Sequence, residues 1–562
     1  MDRNTLLAFL LIAVVLVFTP YYMELVSPPN PEADSLKVVK NDFYTQEFPE
    51  TGVANPTPKE TTVTSAAQLI RTDENESTYT VETELYRAKI SSNHGGSIIS
   101  YEVLKYENQD SGFVNLISDY NSENLVIRYK NLDGLDVQLA SPWSPDNKYF
   151  SGPISRPTVF SFHINTETGG KIKKSLTFYP DTYIVDITTS LVDVADQVFA
   201  GYYTLGWYGG LSPTEVNIKN DVTYFNSYAY QGGELVDLKV KQGESESMHL
   251  NGSTEWVSVR TKYFISAIIP NKPNDISSAF LSGSNSGRES YDMSLSLPSS
   301  SPSSVRLYLG PLEYDRIKSV GKELEKVMNF GWSFIRPISK GVLWMLKKMN
   351  VYIPNYGFVL IVFSILVKIL VYPLTKRSYE STAAMQRLAP EITALREKLK
   401  NNPQKLNQET MKLYKEKGVN PLGGCFPMLL QMPLLFALFQ VFQTTIELRA
   451  EPFVFWIKDL SAPDAVLDLP FSIPIYGSHV AVLPILMVLS MFVQQRMMSG
   501  GAEQQPQQKT MQYFMTGFFF LLFNSFPSGL NLYYTLFNIL TIVQQKIITI
   551  QETPTADNKT SR

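Results

Sequence analysis

The sequence predicts an α-helical polytopic membrane protein that also carries a large exported antiparallel β-sandwich and a cytoplasmic helical hairpin. Three observations carry that expectation. The mean hydropathy of -0.08 averages two unlike halves. The first is rich in Ser, Thr, Asp and Tyr set in short alternating runs, and the second holds repeated apolar runs of about 16–22 residues, near the length that crosses a bilayer core. Inside the second half, 376–420 turns polar and holds ten Lys/Arg against five acidic residues. By the positive-inside rule that segment is cytoplasmic.

Composition narrows the function. A net charge of -4 argues against nucleic acid as a general partner, and no sequence-specific nucleic-acid binding is expected. The single cysteine, Cys425, leaves no internal disulfide, and four histidines (His94, His163, His249, His479) without a cysteine pair give no zinc motif. There is no Gly-rich phosphate loop, nucleophile elbow or repeat of fixed period, so neither a cofactor nor an enzymatic activity is expected.

In chain order, 1–26 reads as an N-terminal transmembrane anchor: an apolar run behind Arg3, extended by Tyr21, Tyr22 and Leu25, with no small-x-small cleavage pattern. A cleaved signal is the competing reading. Residues 27–78 are Pro-rich and polar, a linker that cannot bury enough apolar area to order itself. Residues 79–330 form the exported β-sandwich with a C-terminal helix over 314–330. In 183–191, Tyr183, Val185, Ile187 and Leu191 share one face and Asp186, Thr188 and Ser190 the other, and Asn93-His94-Gly95-Gly96 and Gly209-Gly210 read as turns. The linker and the change of pattern suggest that this domain folds on its own. Residues 331–350 read as an amphipathic helix on the outer membrane surface, with Trp332, Phe334, Ile335, Trp344 and Leu346 against Arg336, Lys340, Lys347 and Lys348.

The helical core spans 351–550, with transmembrane helices near 356–374, 422–443, 480–497, 511–526 and 530–550. In the hairpin 376–420, Met385, Leu388, Ile392, Leu395 and Leu399 form a seam, and Asn401-Asn402-Pro403 separates the two helices. It is either a solvated appendage or a dock for anionic lipid, a ribosome or a targeting factor. Acidic residues mark the loop after the second core span as exterior, and 551–562 is a cytoplasmic tail. With the anchor this gives six spans and both termini in the cytoplasm.

The first core span contains Lys368. A central lysine costs about 2.5–3.5 kcal/mol and usually faces protein or a watery cavity. Ser364, Lys368 and Tyr372, at i, i+4 and i+8, place polarity on one face. Snorkelling of the lysine toward the headgroups is the other reading. In the last span Asn531, Tyr534, Asn538, Thr541 and Gln545 recur at 3 and 4 as a second polar stripe, which must face other helices or water.

Three stretches then carry a resemblance. Val371-Tyr372-Pro373-Leu374-Thr375, then Asn420-Pro421-Leu422-Gly423-Gly424-Cys425-Phe426-Pro427 with Gln431-Met432-Pro433, then Pro527-Ser528-Gly529-Leu530 with Tyr533-Tyr534, resemble in order and spacing the YidC/Oxa/Alb family of membrane-protein insertases. The long exported β-domain behind an anchor is similar to the YidC form found in Gram-negative bacteria. The resemblance implies a five-helix insertase core around a hydrophilic groove, closed outside and open to cytoplasm and lipid. Such a protein inserts and chaperones nascent membrane proteins in the bacterial inner membrane, alone or with the Sec translocon, and meets ribosomes and the signal-recognition targeting receptor. It also implies the groove residues: Lys368, Ser364, Tyr372, Gln431, Asn531, Tyr533, Tyr534, Asn538 and Thr541. Lys368 stands where the bacterial family commonly has arginine, which keeps the charge but loses the planar fork.

The β-domain looks like the sugar-mutarotase type of β-supersandwich. A mutarotase needs a positioned His and Glu pair, and His94 in a turn does not supply it. Two other functions compete. A polytopic transporter or channel would want a midplane solute site and usually repeats, and none is visible. A sugar-active exported enzyme would leave five unusually polar spans unexplained.

Overall fold

The structure, a computed structural model, describes residues 68–69, 75–108, 112–117, 123–139, 142–149, 151–166, 169–399, 402–419, 426–473, 476–498 and 506–552. The expected anchor, nearly all of the linker and the tail beyond 552 lie outside the described residues.

Alternating apolar residues build the first half as sheets. In the strand Ile184–Ser190, Val185, Ile187 and Thr189 point into the core while Thr188 faces out. A nine-stranded sheet runs through Asn226–Gln231, Thr254–Arg260, Phe264–Pro270, Ser303–Pro311, Ile184–Ser190, Lys171–Phe178 and Thr158–Asn165, all antiparallel. Seven- and five-stranded sheets complete the region, and a core that includes fully buried Trp143, Trp207 and Trp256 fills it. Two short parallel pairings depart from the antiparallel expectation. One of them, Gln68–Leu69 on Val137–Gln138, lies inside the stretch expected to be linker, because a strand edge there offers backbone partners that composition cannot reveal.

The turn at His94-Gly95-Gly96 is left-handed throughout, with φ of 53°, 69° and 102°, and a Cβ on Gly96 would lie 2.5 Å from Leu176 Cδ1. Lys174 fixes this turn from the core. Its Nζ donates to the carbonyls of His94 (2.7 Å) and Leu125 (2.6 Å), and Leu125 is itself held at φ 56°. The buried ammonium therefore clamps two left-handed residues, one in this turn and one in the strand Asn124–Lys130.

The C-terminal half is helical. Residues 314–330 are not one helix: α1 (Tyr314–Val320) stops where Gly321, Lys322 and Glu323 take positive φ, and a short 3-10 turn follows. The amphipathic helix α2 (Arg336–Asn350) begins at Arg336 rather than at 331, with Pro337 in its first turn. Within the expected amphipathic stretch the apolar residues divide into two sets: Val342, Leu343 and Leu346 of the helix are buried, whereas Trp344 and, ahead of the helix, Trp332 and Phe334 are exposed. Helix α3 (Tyr356–Arg387) runs through Pro373 without stopping, and Thr375 Oγ1 turns back to the Val371 and Tyr372 carbonyls beside the proline. Helices α4 (Ala389–Lys398) and α5 (Pro403–Glu416, with Asn402 as N-cap) make the hairpin. It thus begins at 389 rather than 376, because nothing at 376 ends the helix and Pro390 opens a new one.

Helices α6 (Phe426–Thr444), α7 (Val482–Met498), α8 (Pro506–Phe523) and α9 (Ser528–Glu552) occupy the other expected spans. By length and composition, one helix among the described residues, Tyr356–Lys376, suffices to cross a membrane, and Val482–Met497 and Tyr513–Phe523 are shorter apolar helices. The loop between α6 and α7 holds an unexpected β-hairpin, Ala465–Ile473 with Gly477–Ala481.

The two halves are joined by charge. Arg449, beyond α6, reaches Glu215 Oε1 at 2.7 Å and the carbonyls of Glu107 and Thr214. Lys347 on α2 bridges Asp315 on α1 (2.6 Å) and Glu447 (3.0 Å), and although burial works against its charge, these carboxylates hold its ammonium up at about 12.

Burial pulls the Lys174 ammonium down to about 7, whereas in the unfolded chain it titrates near 10.4. Between those values the unfolded state binds the extra proton, so stability rises with pH, by up to about 1.4 kcal/mol per unit. We expect the Lys174→Met protein to show a flatter rise in denaturation midpoint from pH 7 to 9, read by tryptophan fluorescence of the full chain. Equal slopes in the two proteins would remove this lysine as the source.

Candidate functional site: a polar seam between three helices

Helix α3 starts where Asn355 Oδ1 accepts from the Gly357 and Phe358 amides, while Asn355 Nδ2 donates to the Pro452 carbonyl. The helix is apolar nearly all round, yet its faces differ in what they meet. Val359, Leu360, Phe363, Ser364, Val367 and Lys368 are buried, whereas Ile365, Leu366, Ile369 and Leu370 are exposed. Ser364 satisfies itself by donating to the Leu360 carbonyl at 2.7 Å.

Lys368 is 8 % exposed, and its head turns inward to α9 instead of running along its own helix toward Lys376. Its Nζ donates to Thr541 Oγ1 at 2.7 Å and lies 4.1 Å from the centre of the Phe537 ring. Thr541 Oγ1 in turn donates to the Phe537 carbonyl, which leaves its lone pairs to the ammonium. The polar contacts continue along α9. Asn538 Nδ2 donates to Ser490 Oγ on α7 at 3.2 Å, and Gln544 Nε2 donates to Thr375 Oγ1 on α3 at 3.3 Å. Tyr533, fully buried, sets its ring against Phe363 on α3 and against Tyr534.

The geometry gathers Ser364, Lys368, Tyr533, Asn538 and Thr541 where α3, α7 and α9 meet, and it separates others from them. Asn531 is engaged at the α8–α9 turn, where its Nδ2 donates to the Phe523 and Phe526 carbonyls. Tyr372 is 42 % exposed, because the eight residues from Ser364 carry it about 80° past two whole turns of the helix. Gln431 is half-buried on α6, and Tyr534 packs edge-on against Phe523 of α8. Ser490, Phe537, Thr375 and Gln544 were not expected. Ser490 was the findable one, since it is a lone hydroxyl within an apolar run just as Ser364 is. The buried hydroxyl oxygens of Tyr533 and Tyr534, Asn531 Oδ1 and Gln544 Oε1 have no hydrogen-bond partner among the described residues. Such atoms need water or a polar chain.

One end of the seam is tied shut. The amides of Ser528 and Gly529 donate to the Ala462 and Leu460 carbonyls, and Asp464 accepts from the first amides of α7 and from Trp456. Asn524 clasps the β-hairpin through Tyr476, His479 and Ala481.

Comparison with known proteins gives two family matches. The model described as 60Kd inner membrane protein matches residues 348–555, and the YidC periplasmic domain matches 78–345. The chain is 35% identical to the membrane protein insertase YidC of Chloroherpeton thalassium, covering 97% of this chain and 95% of that one. It is 34% identical to the protein of the same description from Chlorobaculum parvum, covering 98% and 94%. A solved structure, an active YidC insertase with its first transmembrane domain resolved, is 17% identical with a TM-score of 0.35, over 86% of this chain and 94% of its own.

The tied end explains one glycine. A Cβ on Gly529 would lie 2.3 Å from Phe442 Cε1 and 3.1 Å from the Leu460 carbonyl oxygen. Gly529→Val should therefore cost about 1–3 kcal/mol by overpacking. The measurement is the thermal midpoint in detergent, and an unchanged midpoint would show that the α6–α9 contact yields freely.

Proposed function

The chain belongs to the YidC family of membrane protein insertases, and from that premise we propose that the seam between α3, α7 and α9 is where it handles its clients. It is an insertase rather than an enzyme, its relatives act at the inner membrane, and they carry a periplasmic domain. The observation that carries the reading is Lys368, an ammonium inside an apolar helix bundle held by a neutral hydroxyl.

A hydrophilic tail entering this seam exchanges bulk water for side chains that hydrocarbon lacks. Thr541, Asn538 and Ser490 offer partners to its backbone, and Lys368 offers a charge to its carboxylates. At about 4 Å and an effective dielectric of about 20 that attraction is worth roughly 4 kcal/mol before desolvation, enough to bias capture. Lysine gives a single mobile donor rather than a bidentate fork, so it can leave Thr541 for a passing carboxylate without a fixed geometry. No covalent step is needed. The client's apolar segment then leaves sideways into lipid along the exposed apolar residues of α3.

In the same reading the protein spans the inner membrane several times with both termini in the cytoplasm. Residues 79–330 lie outside, and the α4–α5 hairpin lies in the cytoplasm. The hairpin recruits translating ribosomes or the signal-recognition targeting receptor, and the core works alone or beside the Sec translocon. The basic excess of 376–420 supports the hairpin's side. Nothing in the seam favours a transporter or channel.

Two experiments test this. Lys368→Arg should insert clients normally, Lys368→Ala should slow acidic-tailed clients about tenfold while sparing matched neutral tails, and Lys368→Glu should be worst. Equal insertion of both client types by the alanine variant would remove Lys368 from the mechanism. For the topology, Gln408→Cys in a Cys425→Ser background should react with a membrane-impermeant thiol reagent only in inverted vesicles. Labelling of intact spheroplasts would overturn the assigned side.

A further inference from the structure

A second polar space lies outside the seam. Between the β-rich half and α6 is a cavity of about 320 Å³, lined by Tyr224, Asn226, Lys239 and Arg260 on one side and by Gln440 and Gln443 on the other. That volume suits a small polar group.

Its chemistry is lopsided. Lys239 and Arg260 both line it, and no carboxylate does among the described lining residues. Arg260 is 5 % exposed and is fixed by donating to the carbonyls of Thr261, Lys262 and Val327. Lys239 is fixed by the carbonyls of Val222 and Phe225 and by Glu289. Tyr224 OH donates to Gln443 Oε1 at 2.5 Å and so holds the two walls together. Asn226, 7 % exposed, donates to Asp237, but its Oδ1 has no hydrogen-bond partner among the described residues. Glu289 already meets the charge of Lys239, and all three N–H donors of that ammonium are taken, so the cation left to the cavity is Arg260, three of whose five N–H donors are used. That guanidinium beside an unused acceptor calls for a ligand that carries both an anion and a donor.

The level of the cavity says where such a ligand comes from. Trp332 and Phe334 stand 62 % and 63 % exposed just after Asn329, another lining residue, and the Trp332 ring lies 5.7 Å from that of Phe436, one turn from Phe439 and Gln440. Exposed aromatics of this kind mark a membrane–water boundary. We propose that the cavity binds the phosphodiester headgroup of an outer-leaflet phospholipid that also bears a hydroxyl or ammonium donor. The phosphate faces Arg260, and the donor faces Asn226 Oδ1. Phosphatidylglycerol and phosphatidylethanolamine meet both demands, and phosphatidylcholine, without an N–H or O–H in its headgroup, meets one. The lipid's leaflet rests on the topology proposed above.

The test is native mass spectrometry of the full chain released from detergent with equal amounts of the three lipids. Retention of phosphatidylglycerol and phosphatidylethanolamine should exceed that of phosphatidylcholine by about fivefold or more. Gln443→Glu, which keeps the bond from Tyr224 but adds a negative charge, should lower phosphatidylglycerol retention about tenfold. Asn226→Leu should erase the preference over phosphatidylcholine. Equal retention of all three lipids by the wild type, or no loss in Gln443→Glu, overturns the proposal. Displacement of the lipid by inorganic phosphate or glycerol phosphate would assign the cavity to a free phosphate. Crosslinks from position 443 to a nascent chain would assign it to polypeptide, and either result also overturns the proposal. Insertion is assayed in parallel, so that absent lipid preference with intact insertion rejects the headgroup and leaves the insertase reading standing.

Discussion

The donation from Lys368 Nζ to Thr541 Oγ1 sets the rotation of the helices around it. In hydrocarbon each polar group needs an internal partner or water, and an ammonium needs one most. Once Lys368 meets α9, the apolar face of α3 that carries Ile369 and Leu370 is directed away from the bundle. The same contact turns the α9 stripe inward, where Asn538 finds Ser490 on α7 and Gln544 finds Thr375 on α3. Three helices are thereby oriented by three polar contacts, because small misrotations leave buried groups unpaired at a cost of several kcal/mol each.

The tied end of the seam depends on a different kind of chemistry. There the loop between α6 and α7 binds the helix termini with backbone amides, Asp464 and Asn524, and Gly529 allows α9 to approach Phe442 closely. The same loop carries Arg449 to Glu215 on the β-rich half. A tied closure at one end and the buried hydroxyls of Tyr533 and Tyr534 on α9, without a hydrogen-bond partner among the described residues, suit a protein that gives polar segments a temporary environment without forming a bond to them.

Much of this was legible from the residues alone. Alternation in 183–191 gave a strand with the right face inward, and the apolar runs near 422–443, 480–497 and 530–550 gave helices within a few residues of those found, since such patterning is a local property of the chain. Lys368, Asn538 and Thr541 stood out because a polar residue in an apolar run has few structural excuses. The errors had local causes too. Residues 314–330 read as one helix, whereas the positive φ of Gly321 ends it at Val320. The first core span was expected near 356–374, yet the helix runs on to Arg387, since the one amide missing at Pro373 does not end a helix whose neighbours keep the chain packed.

The sequence by itself therefore determined the two halves, the helices and the presence of a charge in a place that resists charge. Only the tertiary structure decided which polar residues work together. Asn531 and Thr541 lie on one helical stripe, but the first closes a turn and the second holds the lysine. Arg449 and Glu215, or Tyr224 and Gln443, show no pattern in the chain because they are more than 200 residues apart, at separations of 234 and 219. Periodicity fixes which way a side chain points from its own helix or strand. Its partner is fixed by packing the other elements at close density, and that is information the chain holds only as a whole.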